Sequence, residues 1–258
     1  MDFDSWAEWY DVLYSVAPVA EVAMYVELAR QFGGPVLEIG VGTGRVAIPT
    51  TQAGIDVVGA DISEAMLAKA AAKHGSGEAG LGHLELIRAD MRNLDLGPGR
   101  RFPLITLPSR TLLLAGDAGS QRQTLERGAA YLAPGGRLVF NIFNPNPELL
   151  AENSDEPFLW AKTVHPETGS RCLLWAENHF DSETQTNRGV QIVEVLDDHG
   201  EVAERVSFDV TIRYLFASEA HEMLEAAGLQ VEAMYGDFDL SAFDEDSPEM
   251  IFVARRPS

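Results

Sequence analysis

From residue 35 to residue 143 the chain repeats one arrangement, a short apolar run followed by a segment patterned for a helix. This limits the folds open to it. Strands are predicted over residues 35–39, 55–60, 84–89, 104–107 and 137–143, and helices over 46–53, 64–73 and 121–132. Such alternation argues for a parallel sheet covered by helices on both faces. Pro49 is awkward, because it falls inside the first of these helices and removes a backbone bond there. After Asn144 a polar connector, PNPELLAENSDEP, leads into four strand-like runs between residues 158 and 215, separated by PETGS, DSETQTNR and DDHGE. Consecutive strands with short turns predict an antiparallel meander, inserted into the α/β unit. The alternation resumes with a helix over 219–227, its stop at Gly228, and strands over 230–235 and 250–255. At the start, SWAEWYDVLY predicts one helix with Ser5 and Glu8 as a capping box, and a second helix covers 19–32.

Charge narrows the partners. Forty acids against nineteen Lys and Arg give a formal charge of -21, which repels phosphate backbones and makes nucleic acid a poor partner. No run of about eighteen apolar residues predicts a membrane span, and the acidic start lacks the pattern of a signal peptide, so a cytoplasmic location is expected. The single cysteine, Cys172, reads as a buried spectator. Six scattered histidines have no ligand spacing, so no metal site is expected.

The first strand and its turn read VLEIGVGTGRVAIP, with Gly40, Gly42 and Gly44 where a parallel sheet binds ligands at its strand ends. Glycines there let a ligand approach the backbone. Asp61 closes the second strand, about twenty residues downstream, where a carboxylate can accept both ribose hydroxyls. Ser63 behind it is a candidate cap for the next helix. Glu38 decides between ligands. It would oppose a pyrophosphate and attract an ammonium or sulfonium group, and Arg45 occupies the place of the third glycine in a dinucleotide fingerprint.

These features resemble class I S-adenosylmethionine-dependent methyltransferases, as do GADISEAML, IRADMRNL and LAPGGRLVF further along. The resemblance covers residues 1–145 and 216–258. It implies a Rossmann-like, doubly wound α/β fold with a mostly parallel seven-stranded sheet, residues 1–34 as a helical lid, and residues 146–215 as the inserted meander. It also implies a cofactor site in which Glu38 stands near the amino-acid end of S-adenosylmethionine and Asp61 holds the ribose. Ile62 and Met66 would wall the adenine pocket, Asp90 would meet the adenine amino group and Met91 its face. Pro49 is at home in sequences of this kind.

Methyl transfer from a sulfonium is an in-line displacement, so the chain must align an unprotonated nucleophile behind the methyl carbon. Trp9-Tyr10-Asp11-x-x-Tyr14 resembles the opening of methyltransferases acting on amino sugars, amino acids and natural products such as antibiotics, whose first helix folds over the cofactor. Tyr10 and Tyr14 are therefore candidate catalytic residues, with ordinary core as the alternative. In such enzymes the loop from Leu107 to Thr111 lies at the site mouth, which makes Ser109 and Arg110 candidate substrate contacts. Arg213-Tyr214, at the end of the meander, would bring Tyr214 to the same mouth, and Tyr235–Asp239 is a further acid-aromatic candidate. The meander is expected to wall the substrate or to join copies in a homo-oligomer. Lack of an obvious base favours an amine acceptor, so the expected activity is small-molecule N-methylation. The close alternative is a natural-product O-methyltransferase. A nicotinamide oxidoreductase is opposed by Glu38 and Arg45, and a non-catalytic scaffold by the complete set of cofactor residues.

Overall fold

The computed structural model describes residues 3–75, 82–151, 153–154 and 156–257. Met1 and Asp2 of the acidic start, and Glu152 and Asp155 of the connector, lie outside the described residues. In chain order the elements are α1 (Phe3–Trp6), α2 (Tyr10–Leu13), α3 (Val19–Phe32), β1 (Val36–Ile39), α4 (Ala47–Gln52), β2 (Val57–Asp61), α5 (Glu64–Gly75), β3 (Leu84–Arg88) and β4 (Phe102–Leu107). There follow α6 (Ala118–Ala130), β5 (Leu132–Phe143), α7 (Pro147–Leu150), β6 (Phe158–Val164), β7 (Arg171–Asp181), β8 (Thr186–Leu196), β9 (Val202–Arg213), α8 (Ala217–Ala226), β10 (Gln230–Tyr235) and β11 (Glu249–Arg255).

The seven-stranded sheet has the order β10-β11-β5-β4-β1-β2-β3, and β6 to β9 form a separate four-stranded antiparallel sheet. Strands β1 to β5 pair in parallel, while β11 runs antiparallel to both of its neighbours. The chain leaves β1 towards β2 and β3, then returns to the other side of β1 as β4. That reversal leaves a crevice beyond the carboxyl ends of β1 and β4. Apolar clusters cover both faces of the sheet, one around Leu37, Ile105 and Phe140, the other around Tyr25, Leu104 and Val139.

Two local expectations are corrected. The segment SWAEWYDVLY is not one helix: it breaks after Trp6, resumes as α2 and tightens into a 3₁₀ turn over Tyr14–Val16. Ser5 consequently lies inside α1 rather than at a cap. The break follows from tertiary pairing, because Asp4 accepts hydrogen bonds from Ser63 Oγ (2.5 Å) and the Ala65 amide (3.3 Å) at the start of α5. Pro49 is harmless for a simpler reason. Helix α4 begins only at Ala47, so Pro49 falls in the first turn, where its missing N–H has no intrahelical partner to lose.

The lid packs between α5 and the inner face of the four-stranded sheet. Trp6, Trp9, Val12 and Leu13 form one apolar cluster with Met66, Cys172, Leu174, Val193 and Phe208. Cys172 is buried there, and burial pushes its thiol above its ordinary value. Arg213 joins the meander to the larger sheet's helices. Its guanidinium donates to Gln121 Oε1 (2.9 Å), Gln185 Oε1 (3.0 Å) and Glu219 Oε1 (2.8 Å), and Gln121 Nε2 donates back to the Arg213 carbonyl at 2.7 Å. Removing one member of a buried charged network leaves the others unpaired. Arg213→Ala is expected to cost about 3 kcal/mol, read by denaturant unfolding with the slope m unchanged.

Candidate active site

The crevice at the carboxyl ends of β1 and β4 opens into a cavity of about 730 Å³, and a second cavity of about 520 Å³ adjoins it under the meander. Trp6, Tyr14, Ser109 and Leu114 line both and form their common wall.

The first cavity is shaped by the glycine loop. Gly40 and Gly42 border it, both with positive φ (74° and 53°), and a Cβ on Gly40 would collide with Thr111. At Gly42 a Cβ would meet the Tyr10 ring at 3.6 Å. Gly44 (φ 84°) serves packing instead, since a Cβ there would come within 2.8 Å of Ile48 on α4, and it lines neither cavity. Asp61 projects from the end of β2 into the cleft. Its two oxygens accept from the amides of Gly42 (2.8 Å) and Ser63 (2.9 Å). Each oxygen therefore keeps a lone pair for a ligand hydroxyl. Burial raises the Asp61 carboxyl above its ordinary value, opposed by those amides. Ser63 caps α5 as expected, its hydroxyl accepting from the Met66 amide at 3.1 Å.

Ile62, Met66, Ala89 and Met91 add apolar surface to the cleft, and Asp90 also lines it. Asp90 is already engaged, accepting from Arg92 at 2.6–3.0 Å through both oxygens, and this guanidinium holds its carboxyl below the ordinary range. A side-chain-free backbone cradle, a ribose-ready carboxylate and a sleeve of Met and Ile fit a nucleoside donor such as S-adenosylmethionine.

Glu38 stands behind the glycine loop rather than in the open wall. It is buried, receives the Ala47 amide at the start of α4, and lies close enough to feel Arg45, Glu21 and Asp61. Burial pushes its carboxyl up to about 8 from an ordinary 4.5. Arg45 does not reach a ligand freely, because it is bound by Glu21 and donates to Ser109 Oγ at 2.6 Å. Glu21 was invisible as a site residue in the sequence, being one more acid in an amphipathic helix. Its other oxygen accepts from the Ser109 amide at 2.7 Å.

The common wall carries the candidate chemistry. Tyr10 and Tyr14 stack with ring centroids 4.3 Å apart, and the Arg45 guanidinium lies 5.6 Å from the Tyr14 ring centre. Burial drives both phenols upward, so at neutral pH they are hydrogen-bond donors and not bases. Arg110 lines the second cavity, paired with buried Glu249 and stacked over Phe143. Asn144, Asn146, Glu148, Asn178 and Gln191 give that cavity a polar lining. None of these five was expected from the sequence.

Three expectations are corrected. Tyr214 lines neither cavity; it is fully buried in the core against Phe143, Phe180 and Phe216, because the chain turns inward after β9. The Leu107 side chain is likewise core, at the inward-facing end of β4. Tyr235 and Phe238 pack under β11, and Tyr235–Asp239 borders neither cavity. Residues missed on the donor side include Phe3 of the lid and Ser207, Phe208, Asp209 and Thr211 of β9. They carry no motif, since only the folding of lid and meander over the sheet brings them there.

Comparison with known proteins agrees with this geometry. Residues 36–136 match the family model described as a methyltransferase domain. The structure of the CcbJ methyltransferase from Streptomyces caelestis superposes with a TM-score of 0.79 at 26% identity, covering 93% of this chain and 97% of that one. The sugar N-methyltransferase KedS8 from Streptoalloteichus sp. ATCC 53650 gives 0.71 at 21% identity, with 96% and 93% covered. The cypemycin N-terminal methyltransferase of a Streptomyces species is 25% identical over 251 residues, 96% of this chain and 95% of that protein.

Glu38 makes stability depend on pH. Its folded-state carboxyl holds the proton more tightly than the unfolded chain does, so its contribution is full below about pH 4.5 and is lost as pH rises towards about 8. Between pH 5 and pH 8 the melting temperature of the wild type should therefore fall relative to that of Glu38→Gln, measured by calorimetry without donor. A parallel pair of curves would contradict the burial assignment.

Proposed function

We propose that this chain, a class I S-adenosylmethionine-dependent methyltransferase, methylates an amine nitrogen of a small natural product. The observation that carries the reading is the wall common to both cavities. Trp6, Tyr14, Ser109 and Leu114 offer hydrogen-bond donors and apolar surface there, but no group that takes a proton from an alcohol at neutral pH. An amine needs no such base once its own proton is lost, because its lone pair is already the nucleophile. The polar second cavity, with Glu148 and Glu177 in its lining, suits a cationic molecule before that loss. KedS8 is named a sugar N-methyltransferase, which supports nitrogen by analogy of fold.

When bound, S-adenosylmethionine supplies a methyl group on a sulfonium whose sulfur leaves as a neutral thioether. The residues of the chain hold the partners and exclude water. Asp61 would take the ribose hydroxyls, Gly40 and Gly42 leave room for the donor's close approach, and Ile62, Met66 and Met91 would flank its base, with Asp90 at the edge. Glu38, ionised by a nearby ammonium, would stabilise the amino-acid end from below the loop. Tyr10 and Tyr14 close the cleft from the lid and orient the nucleophile through their hydroxyls. Catalysis on this reading is alignment in a dry site.

Two substitutions separate binding from transfer. Asp61→Ala should weaken donor binding roughly 10- to 100-fold, the worth of a charged hydrogen bond, by calorimetry with S-adenosylhomocysteine. Tyr14→Phe should lower kcat about tenfold, or ~1.4 kcal/mol, and leave that affinity unchanged. Equal loss of donor affinity in both would contradict the division of roles. The acceptor atom is tested with methyl-labelled donor and a panel of small amines and alcohols. Label found only on oxygen would overturn the nitrogen reading and install an O-methyltransferase in its place.

A further inference from the structure

Two polar atoms of residues lining the second cavity have no hydrogen-bond partner among the described residues. Trp6 is 3% exposed, lines both cavities, and its Nε1–H is buried without an acceptor. Gln191 lines the second cavity, and its Oε1 is buried without a donor. The two residues are linked through one ring. Gln191 on β8 is directly opposite Phe208 on β9, and the Phe208 ring meets Trp6 edge to face at 6.1 Å between centroids. Phe208 itself borders the donor cleft. A lone donor on the wall common to both chambers and a lone acceptor in the lining of the second are thus joined through Phe208.

Leaving a buried polar atom unpaired costs free energy, and native proteins rarely leave two on one cavity. Their complementarity matters. A hydroxyl or an amide can accept from an indole N–H and donate to an amide oxygen, whereas an amine-bearing hydrocarbon can donate to the oxygen but can accept from the indole only by giving up its nucleophilic lone pair.

We infer that Trp6 Nε1 and Gln191 Oε1 are the pair that positions the methyl acceptor, by gripping a hydroxyl or amide group next to its reacting nitrogen. The acceptor class is then an amine with an adjacent group that both donates and accepts hydrogen bonds. The inference rests on the nitrogen-acceptor reading for its choice of reacting atom, but the grip itself can be measured without any transfer. Hydrogen-bonding sites of this kind discriminate strongly, because an analogue lacking the group leaves both protein atoms stranded.

The test uses the full chain, labelled with ¹⁵N and saturated with S-adenosylhomocysteine, and two probes, 2-aminocyclohexanol and cyclohexylamine. The indole resonance absent from the Trp6→Phe spectrum identifies Trp6. It should shift on titration with the amino alcohol and not with the plain amine. Gln191→Leu should weaken the amino-alcohol titration about tenfold, as loss of one hydrogen bond worth ~1.4 kcal/mol does, with the affinity for S-adenosylhomocysteine unchanged. Equal response to both probes would overturn the assignment, as would an unaltered titration in Gln191→Leu, which would mean that ordered water alone completes the two atoms. Mass spectrometry of turnover with labelled donor then reports separately on the nitrogen reading. Methyl found on the hydroxyl oxygen would sink that reading while the titration still judged the grip.

Discussion

A single buried carboxylate, that of Glu21, joins the three segments that border the transfer point. One oxygen takes the Ser109 amide after β4, the other takes Arg45 behind the glycine loop, and the acid itself stands on α3. Ser109 and Arg110 both have left-handed backbone, with φ of 57° and 61°, which a non-glycine residue adopts only when its surroundings hold it. Glu21 holds the first through its amide, and Glu249 holds the second through its guanidinium. Glu249 is in turn fixed by the Asn141 amide, whose oxygen accepts from the Tyr25 hydroxyl at 2.9 Å. The loop that faces both chambers is therefore set by buried acids on two different elements, and Arg45 and Arg110 are the counter-charges that make their burial tolerable.

Much of this was legible in the sequence. The parallel strands could be read because each is a short apolar run, and α3 because its stop at Gly33 has the positive φ (81°) that glycine supplies. Asp61 was found by its distance from the glycine loop, a spacing fixed by the βαβ unit itself. The lid was misread because its helical periodicity is genuine locally, while Asp4 and Asp11 bind separate partners: Asp4 the start of α5, Asp11 both Thr43 Oγ1 (2.7 Å) and Lys73 (2.6 Å). No local pattern contains that competition.

The second chamber was hidden for a different reason. In β8 the run Val190–Leu196 puts apolar side chains on both faces of the sheet, so alternation does not say which way Gln191 points. Only its register opposite Ala176 and Phe208 places it on the face that meets the lid. Tyr214 failed in the opposite sense. It looked like a polar–aromatic pair with Arg213, yet the arginine is consumed by Gln121, Gln185 and Glu219, and the ring is core.

The lid is a ceiling common to both chambers, since Trp6 and Tyr14 face each of them. A ligand that orders this short segment in one chamber lowers the entropy still to be lost when the other is filled. On the proposed reading, donor and acceptor affinities would then be coupled through shared roofing rather than mutual contact, and by reciprocity each would change the other by the same factor. Spent donor, lacking only a methyl group, would meet the same ceiling, so on that reading the departure of each product would depend on one small helix-turn segment.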